Sequence, residues 1–311
     1  MTVTLSPRRG DRLGEVIAIG MSSSCVYPLG VEHVFRLARL AGYDGVEVMV
    51  TNDPMTQDPE ILRELSARYS QPILAIHAPV LLLTTFVWSR DPQVKLERSA
   101  ELAANLGAST VVVHPPFRWQ SGYAQNFERI VGETAVNTGV EIAVENMFPW
   151  KVAGKSLKAY APSPDPLDLD ADAMTLDFSH ASLSGRDSLE VAMAMGERLR
   201  HIHLCDGAGS IDEGMIFDEH LLPGRGTQPV AETLAYLVKS GWSGSVVAEV
   251  NLRKTKDEQT RLDQLVETVA FAREHLGQNH AIREPLPVPA GGAPVVQSAR
   301  ADRRAARRAR D

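Results

Sequence analysis

ILAIHAPVLLLTTFVWSRDPQVKLERSAELAANLGASTVVVH, residues 73–114, holds one full turn of the rhythm that decides the fold. A short apolar run, ILAIH, gives way to VKLERSAELAANLG, whose apolar residues recur at helical spacing and whose last residue is the glycine on which helices tend to stop; TVVVH then opens the next run. The same unit recurs on both sides. The runs are VIAIG (16–20), GVEVMV (45–50), ILAIH (73–77), TVVVH (110–114), EIAVEN (141–146), MTLDF (174–178), HIHLC (201–205) and VVAEV (246–250). Amphipathic segments such as VEHVFRLARLAG, PEILRELSARY, ETLAYLVKSG and LDQLVETVAFAREHL lie between them.

Strand and helix alternating eight times predict an α/β chain closed into a parallel (β/α)8 or TIM barrel. The runs are almost continuously apolar, as strands covered on both faces must be. An open doubly wound sheet is the competing architecture. The first run, however, is not followed by G-x-G-x-x-G, and polar residues sit at run ends all along the chain rather than at one switch point.

The rhythm makes a single domain, 15–279, of a chain whose 311 residues and 44% hydrophobic content also allow two small ones. Residues 1–14, MTVTLSPRRGDRLG, read as a flexible N-terminus without the apolar stretch of a secretory signal, and no run approaches the roughly 20 apolar residues of a membrane span. A cytoplasmic protein is expected. Two cysteines, Cys25 and Cys205, argue for reduced thiols rather than a disulfide framework. The net charge of −7 is a poor match for a nucleic-acid partner. Residues 280–311 turn Pro-, Gly- and Ala-rich and then Arg-rich, with little to bury, and are expected to be disordered. One polar insert, Pro149 to Asp172, breaks the rhythm and is expected to pass over the barrel mouth.

In such a barrel the chemistry gathers at the C-terminal ends of the strands. There the runs end in His77, His114, Glu145, Asp177 followed by His180, His203 with Asp206 after it, and Glu249; the segment FDEHLLPGRG adds Asp218 and His220. A lone strand-end histidine is ordinarily a satisfied hydrogen-bonding residue. A carboxylate among valines, as in EIAVEN and VVAEV, is costly to desolvate unless a cation or donor compensates it. Six strands ending in ligand-type side chains at one rim point to bound divalent metal. Mixed carboxylate and imidazole donors suit Zn²⁺, Mn²⁺, Fe²⁺ or Co²⁺ better than Ca²⁺, with Mg²⁺ a further candidate ion, and no thiolate cluster offers a closed structural zinc site.

The segments AIHAP, VVVHPP, AVENM, LDFSH, HIHLCD, DEHLLPGRG and VVAEV resemble the motif series of the xylose-isomerase-like barrel superfamily, which holds sugar-phosphate isomerases and epimerases and also endonuclease IV. For the isomerases and epimerases the resemblance implies one divalent ion on Glu145, Asp177, His203 and Glu249. Glu145 and Glu249 would then be the catalytic acid–base pair, facing each other across the mouth and moving a proton through an enediolate of a sugar or sugar phosphate. For endonuclease IV it implies up to three zinc ions on His77, His114, Glu145, Asp177, His180, His203, Asp218, His220 and Glu249, and phosphodiester hydrolysis. A non-catalytic metal- or sugar-binding barrel is the third reading. The opening GMSSSCVYP departs from endonuclease IV, and GYDGVEVMV with Glu47 is phrased as in the sugar isomerases, so those enzymes lead. Substrate contacts are expected from His77, His114, Arg225 and Trp119. Arg225 replaces the family's usual glutamate and either holds an anionic group of the substrate or pairs with a neighbouring acid at the surface. Trp88, Trp119 and Trp150 follow the third, fourth and fifth runs and either line a sugar site or close the mouth. A small carbohydrate is the expected partner, with a homo-oligomer possible.

Overall fold

The computed structural model describes residues 17–80, 84–152, 155–157, 159–209 and 218–278. Eight parallel strands close into a barrel: β1 (Ala18–Ser22), β2 (Gly45–Met49), β3 (Ile73–His77), β4 (Thr110–Val113), β5 (Glu141–Glu145), β8 (Ala173–Asp177), β9 (Leu199–Leu204) and β10 (Ser245–Ala248), each paired with its neighbour in chain order and β10 with β1. The intervening β6 (Trp150–Val152) and β7 (Lys155–Leu157) form an antiparallel hairpin outside the barrel, within the polar insert. Helices α1 (Glu32–Ala41), α2 (Pro59–Tyr69), α3 (Pro92–Leu106), α4 (Ser121–Thr138), α5 (Phe178–Leu183), α6 (Ser188–Met195), α7 (Val230–Lys239) and α8 (Glu258–His275) complete the units. The expected segments 1–14 and 280–311 lie outside the described residues.

Strand ends differ from the sequence reading by at most two residues. The first strand runs on to Ser22 because Gly20, Met21 and Ser22 pair with Gly45, Val46 and Glu47 of β2, and the first two also with Val247 and Ala248 of β10. The seventh barrel strand, β9, starts at Leu199, ahead of its first β-branched residue, Ile202. Phe178, assigned from sequence to the sixth run, instead begins α5, because Asp177 turns the chain by accepting the His180 amide at 2.7 Å as an N-cap.

Burial explains the composition of the runs. Every residue of β4 and of β8 is buried, one face against the helices and the other in the barrel interior. Helices dock by one stripe each, as α1 does with Val34, Phe35, Leu37, Ala38 and Ala41. Each large side chain so removed from water contributes about 1.5–3 kcal/mol. Asp58, Asp91, Asp187 and Asp257 cap helix starts, and Gly42, Gly107 and Gly139 end helices in the left-handed conformation. The result is a rigid ring whose strand termini deliver side chains to one rim.

Candidate metal centre

The nine residues singled out as ligands all arrive at that rim. His77 ends β3 and Glu145 ends β5, His114 and Glu249 follow β4 and β10 directly, Asp177 ends β8, and His203 is the penultimate residue of β9. His180 lies one turn into α5, three residues from its own cap, so Asp177 and His180 are presented together. Asp218 and His220 come from the loop after β9, and His220 holds a left-handed backbone with φ 39°. A non-glycine residue in that region is strained unless its surroundings fix it. Its carbonyl accepts from the Asn251 amide at 2.9 Å.

Their atoms form three adjoining groups, each with its ligand atoms within 4.8 Å of one another: His77, His114 and Glu145; Glu145, Asp177, His203 and Glu249; Asp177, His180, Asp218 and His220. Glu145 and Asp177 belong to two groups each. In the central group His203 Nδ1 stands 2.8 Å from Glu249 Oε2, 3.0 Å from Glu145 Oε1 and 3.9 Å from Asp177 Oδ2. His114 Nε2 lies 3.0 Å and His77 Nε2 3.5 Å from Glu145 Oε2. In the third group His180 Nε2 and His220 Nε2 approach Asp218 Oδ2 to 2.6 and 2.9 Å. The two glutamates come from β5 and β10, three places apart in the ring of eight and one short of diametrically opposite, and both carboxylates converge on His203 of β9.

Whether a divalent ion suits these residues is tested by bond direction. Glu145 Oε2, Asp218 Oδ2 and His220 Nε2 are buried and have no hydrogen bond of acceptable geometry, although each has an oxygen or nitrogen of a neighbouring ligand residue within 3.0 Å. Close approach without alignment is the arrangement of lone pairs aimed at a common centre. The imidazole tautomers agree. His77 Nδ1–H donates to the Ala78 carbonyl at 3.0 Å and His180 Nδ1–H to the Asn146 carbonyl at 2.9 Å, which turns each Nε2 lone pair into the site. Divalent metal fits this donor set.

Electrostatics follow from the crowding. Burial opposes ionisation of Glu145, yet the neighbouring His203 and His114 hold it well below the usual carboxylate range, and His203 likewise lowers Glu249. Burial works against a charged His203, but Glu249, Glu47 and Glu145 raise it well above 6.5. His114 goes the other way because burial prevails over its one carboxylate.

Residues without an assigned role in the sequence reading complete the frame. Asn146 latches β5 to β8, its amide donating to the Asp177 carbonyl at 3.0 Å and its oxygen accepting the Asp177 amide at 2.7 Å. Asp206 gathers the amides of Gly207, Gly224, Gly226 and Gln228 at 2.8–3.2 Å, folding the loop that carries His220. A Cβ on Gly226 would collide with the Asp206 carboxylate. Glu47 and His201 lie beneath the centre, with Glu47 Oε2 2.9 Å from His201 Nε2 and 3.3 Å from His203 Nε2. Both free cysteines are buried.

The substrate contacts expected from sequence divide. His77 and His114 face Glu145. Arg225 does not join them: its guanidinium pairs with Glu267 of α8 at 2.7 and 2.8 Å, half-exposed. Trp119 stacks on Phe117 at 4.5 Å and stays 58% exposed, within an aromatic wall that includes Trp150 and Tyr160. Phe148 carries that wall to within 5.0 Å of the His180 ring. Trp88 packs half-buried against the barrel core.

Residues 35–275 match the family described as xylose isomerase-like TIM barrels. The chain belongs to that family. This xylose isomerase-like barrel is 44% identical over 279 residues to an uncharacterized protein of Mycobacterium tuberculosis, covering 84% of this chain and 98% of the relative. It is 22% identical over 248 residues to fructoselysine 3-epimerase of Escherichia coli O157:H7, covering 71% and 86%. Among solved structures, the IOLI protein with a bound zinc atom superposes with a TM-score of 0.61 at 17% identity, covering 85% of this barrel and 99% of that chain, a likeness of fold. No helix of the described residues is long and apolar enough to cross a membrane.

Proposed function

We propose that this barrel is a divalent-metal-dependent epimerase or isomerase of a sugar or sugar phosphate, working by proton transfer beside a carbonyl. The observation that carries the reading is the convergence of Glu145 and Glu249, from strands three places apart, on the single nitrogen His203 Nδ1. The similarity to fructoselysine 3-epimerase supports the same substrate class. Glu145, Asp177, His203 and Glu249 would hold the ion, which when bound supplies Lewis-acid stabilisation for charge developing on the substrate's carbonyl oxygen. Glu249 takes the proton from the carbon beside the carbonyl at its carboxylate oxygen, and Glu145 returns one. The aromatic wall of Phe117, Trp119 and Trp150 offers a flat apolar face to a sugar ring.

A second reading, metal-dependent phosphodiester hydrolysis, is favoured by one observation: three adjoining ligand groups share Glu145 and Asp177, where an epimerase uses the central one. Two measurements separate the readings. Ketoses, aldoses and their phosphates are incubated with the protein in deuterated water with Mn²⁺, Co²⁺, Mg²⁺ or Zn²⁺, and label is followed at the carbons next to the carbonyl. Metal is counted on protein purified without added salts. Conversion with label and about one ion per chain supports the epimerase. Phosphodiester cleavage without carbohydrate turnover, with about three ions, overturns it in favour of the hydrolase. Metal without either activity leaves a binding barrel.

A further inference from the structure

We propose that Glu47 is a positioning residue, a carboxylate beneath the metal centre that keeps the Nε2 proton of His203 and so turns Nδ1 toward the point on which Glu145, Asp177 and Glu249 converge. The inference rests on the metal-centre reading above and deepens it.

His203 is the histidine of the central group, and both of its ring nitrogens are engaged. Nδ1 faces three carboxylates, while Nε2 stands 3.3 Å from Glu47 Oε2. Other rim histidines are oriented by neutral backbone groups, His77 by the Ala78 carbonyl and His180 by that of Asn146. His203 instead has a charged acceptor. An anion on the far nitrogen both fixes the tautomer and makes the near nitrogen a stronger donor to metal.

Glu47 is itself held. The same Oε2 takes His201 Nε2 at 2.9 Å, and His201 Nδ1 lies 2.9 Å from Ser245 Oγ. The protons are consistent along this chain: the Ser245 hydroxyl can donate to His201 Nδ1, His201 Nε2 stands 2.9 Å from Glu47 Oε2 without an aligned hydrogen bond, and His203 Nε2–H donates to that oxygen. None of the three side chains Glu47, His201 and His203 is accessible to solvent. The barrel also bends to assemble them. The β2–β3 ladder shifts register between Val46 and Glu47, and the β8–β9 ladder shifts between Met174 and Thr175, where pairing jumps from Leu199 to His201. Such irregularities re-aim side chains near active sites. Glu47 stands between Val46 and Val48, fully buried, and a buried carboxylate among apolar residues is no better for folding than an apolar replacement of similar volume. Its chemistry is therefore explained by the ligand above it.

The test uses the whole chain with ¹⁵N-labelled histidine, loaded with Zn²⁺. Long-range proton–nitrogen correlation should show His203 ligated through Nδ1 and carrying a slowly exchanging proton on Nε2. Competition with a chelator should show Zn²⁺ affinity falling about 10-fold in Glu47→Gln, which keeps an acceptor without the charge, and nearer 100-fold in Glu47→Leu, which keeps neither. In Glu47→Leu the Nε2 proton signal should also be lost to exchange, a change that packing alone would not cause. Zn²⁺ affinity within twofold of wild type in both folded variants overturns the inference, as does ligation through Nε2 in the wild-type protein. The wild-type spectrum decides the matter even if neither variant folds. If the wild-type protein takes no Zn²⁺, the metal-centre reading fails and this inference with it; if it takes Zn²⁺ and the variants match it, only this inference fails.

Discussion

Glu145 and Glu249 come from similar phrases, AVEN and VAEVN, and finish in unlike surroundings. Glu145 is enclosed by His77, His114, His180 and His203 at 3.0–3.5 Å, whereas Glu249, among the described residues, pairs at such distance with His203. The difference comes from neighbouring strands. β3, β4 and β8 each bring a histidine toward the end of β5. Beside Glu249, β1 leads into Cys25, whose thiol bonds the Ala248 carbonyl at 3.2 Å and the Val250 amide at 3.3 Å. It fixes the backbone on either side of Glu249, whose carboxylate turns to His203. Two acids of one type thus have unlike partners, which on the proposed function makes Glu145 the anchor and Glu249 the base.

The sharpest way to break this comparison is Glu249→Gln. Turnover, read as hydrogen exchange beside the carbonyl, should fall by about 100-fold or more, while the metal-free melting temperature falls less than in Glu145→Gln. Unaltered exchange together with unaltered metal content would remove Glu249 from both roles.

Glu145→Gln should act mainly on the fold. Withdrawing the shared anion leaves several buried imidazoles uncompensated, and denaturant unfolding of the metal-free protein should show a loss of about 3 kcal/mol. A smaller loss than that of Glu249→Gln would reverse the assignment of anchor.

Solution pH sharpens the same contrast. His180, His203 and His220 are raised above their ordinary 6.5, against burial, by the carboxylates around them. Their contribution to metal-free stability is complete below about 6.5 and drains away as pH climbs through the raised values. Glu145 and Glu249 are lowered below 4.5, so theirs is present above that value and lost only as pH falls through the depressed ones. Melting temperature should therefore decline on the alkaline side in metal-free protein, and added Zn²⁺ should flatten that decline. An alkaline slope identical with and without Zn²⁺ would show that metal does not replace the protons.

The smallest expected effect is that of Arg225→Ala. An exposed pair with Glu267 contributes under about 1 kcal/mol, and KM should be unchanged. A KM that rises for phosphorylated substrates alone would return Arg225 to the site.

Much of this was legible because parallel barrel strands announce themselves as apolar runs, and because ligand-type residues at run ends have no cheaper reason to be there. Six of the nine rim residues were read that way, His180 from the residues just after the sixth run, and Asp218 and His220 from the segment FDEHLLPGRG. His201 was not, though it lies two residues before His203 and a strand's alternation puts both on one face; what could not be read is that Glu47, 154 residues earlier, would meet them. The Arg225–Glu267 pair spans 42 residues and depends on how α8 docks. Asn146 stood in the AVEN motif, but its partner is a backbone amide, which no side-chain pattern reveals.

The clamp made by Asp206 bears on how such a protein can diversify. One carboxylate grips the chain at Gly207 and again at Gly224, Gly226 and Gln228, so the stretch between is fastened at both ends from within the barrel. Any exchange of the segment between those points, in the laboratory or by descent, has to keep the fastening points together with Asp218 and His220, which the same segment carries to the rim.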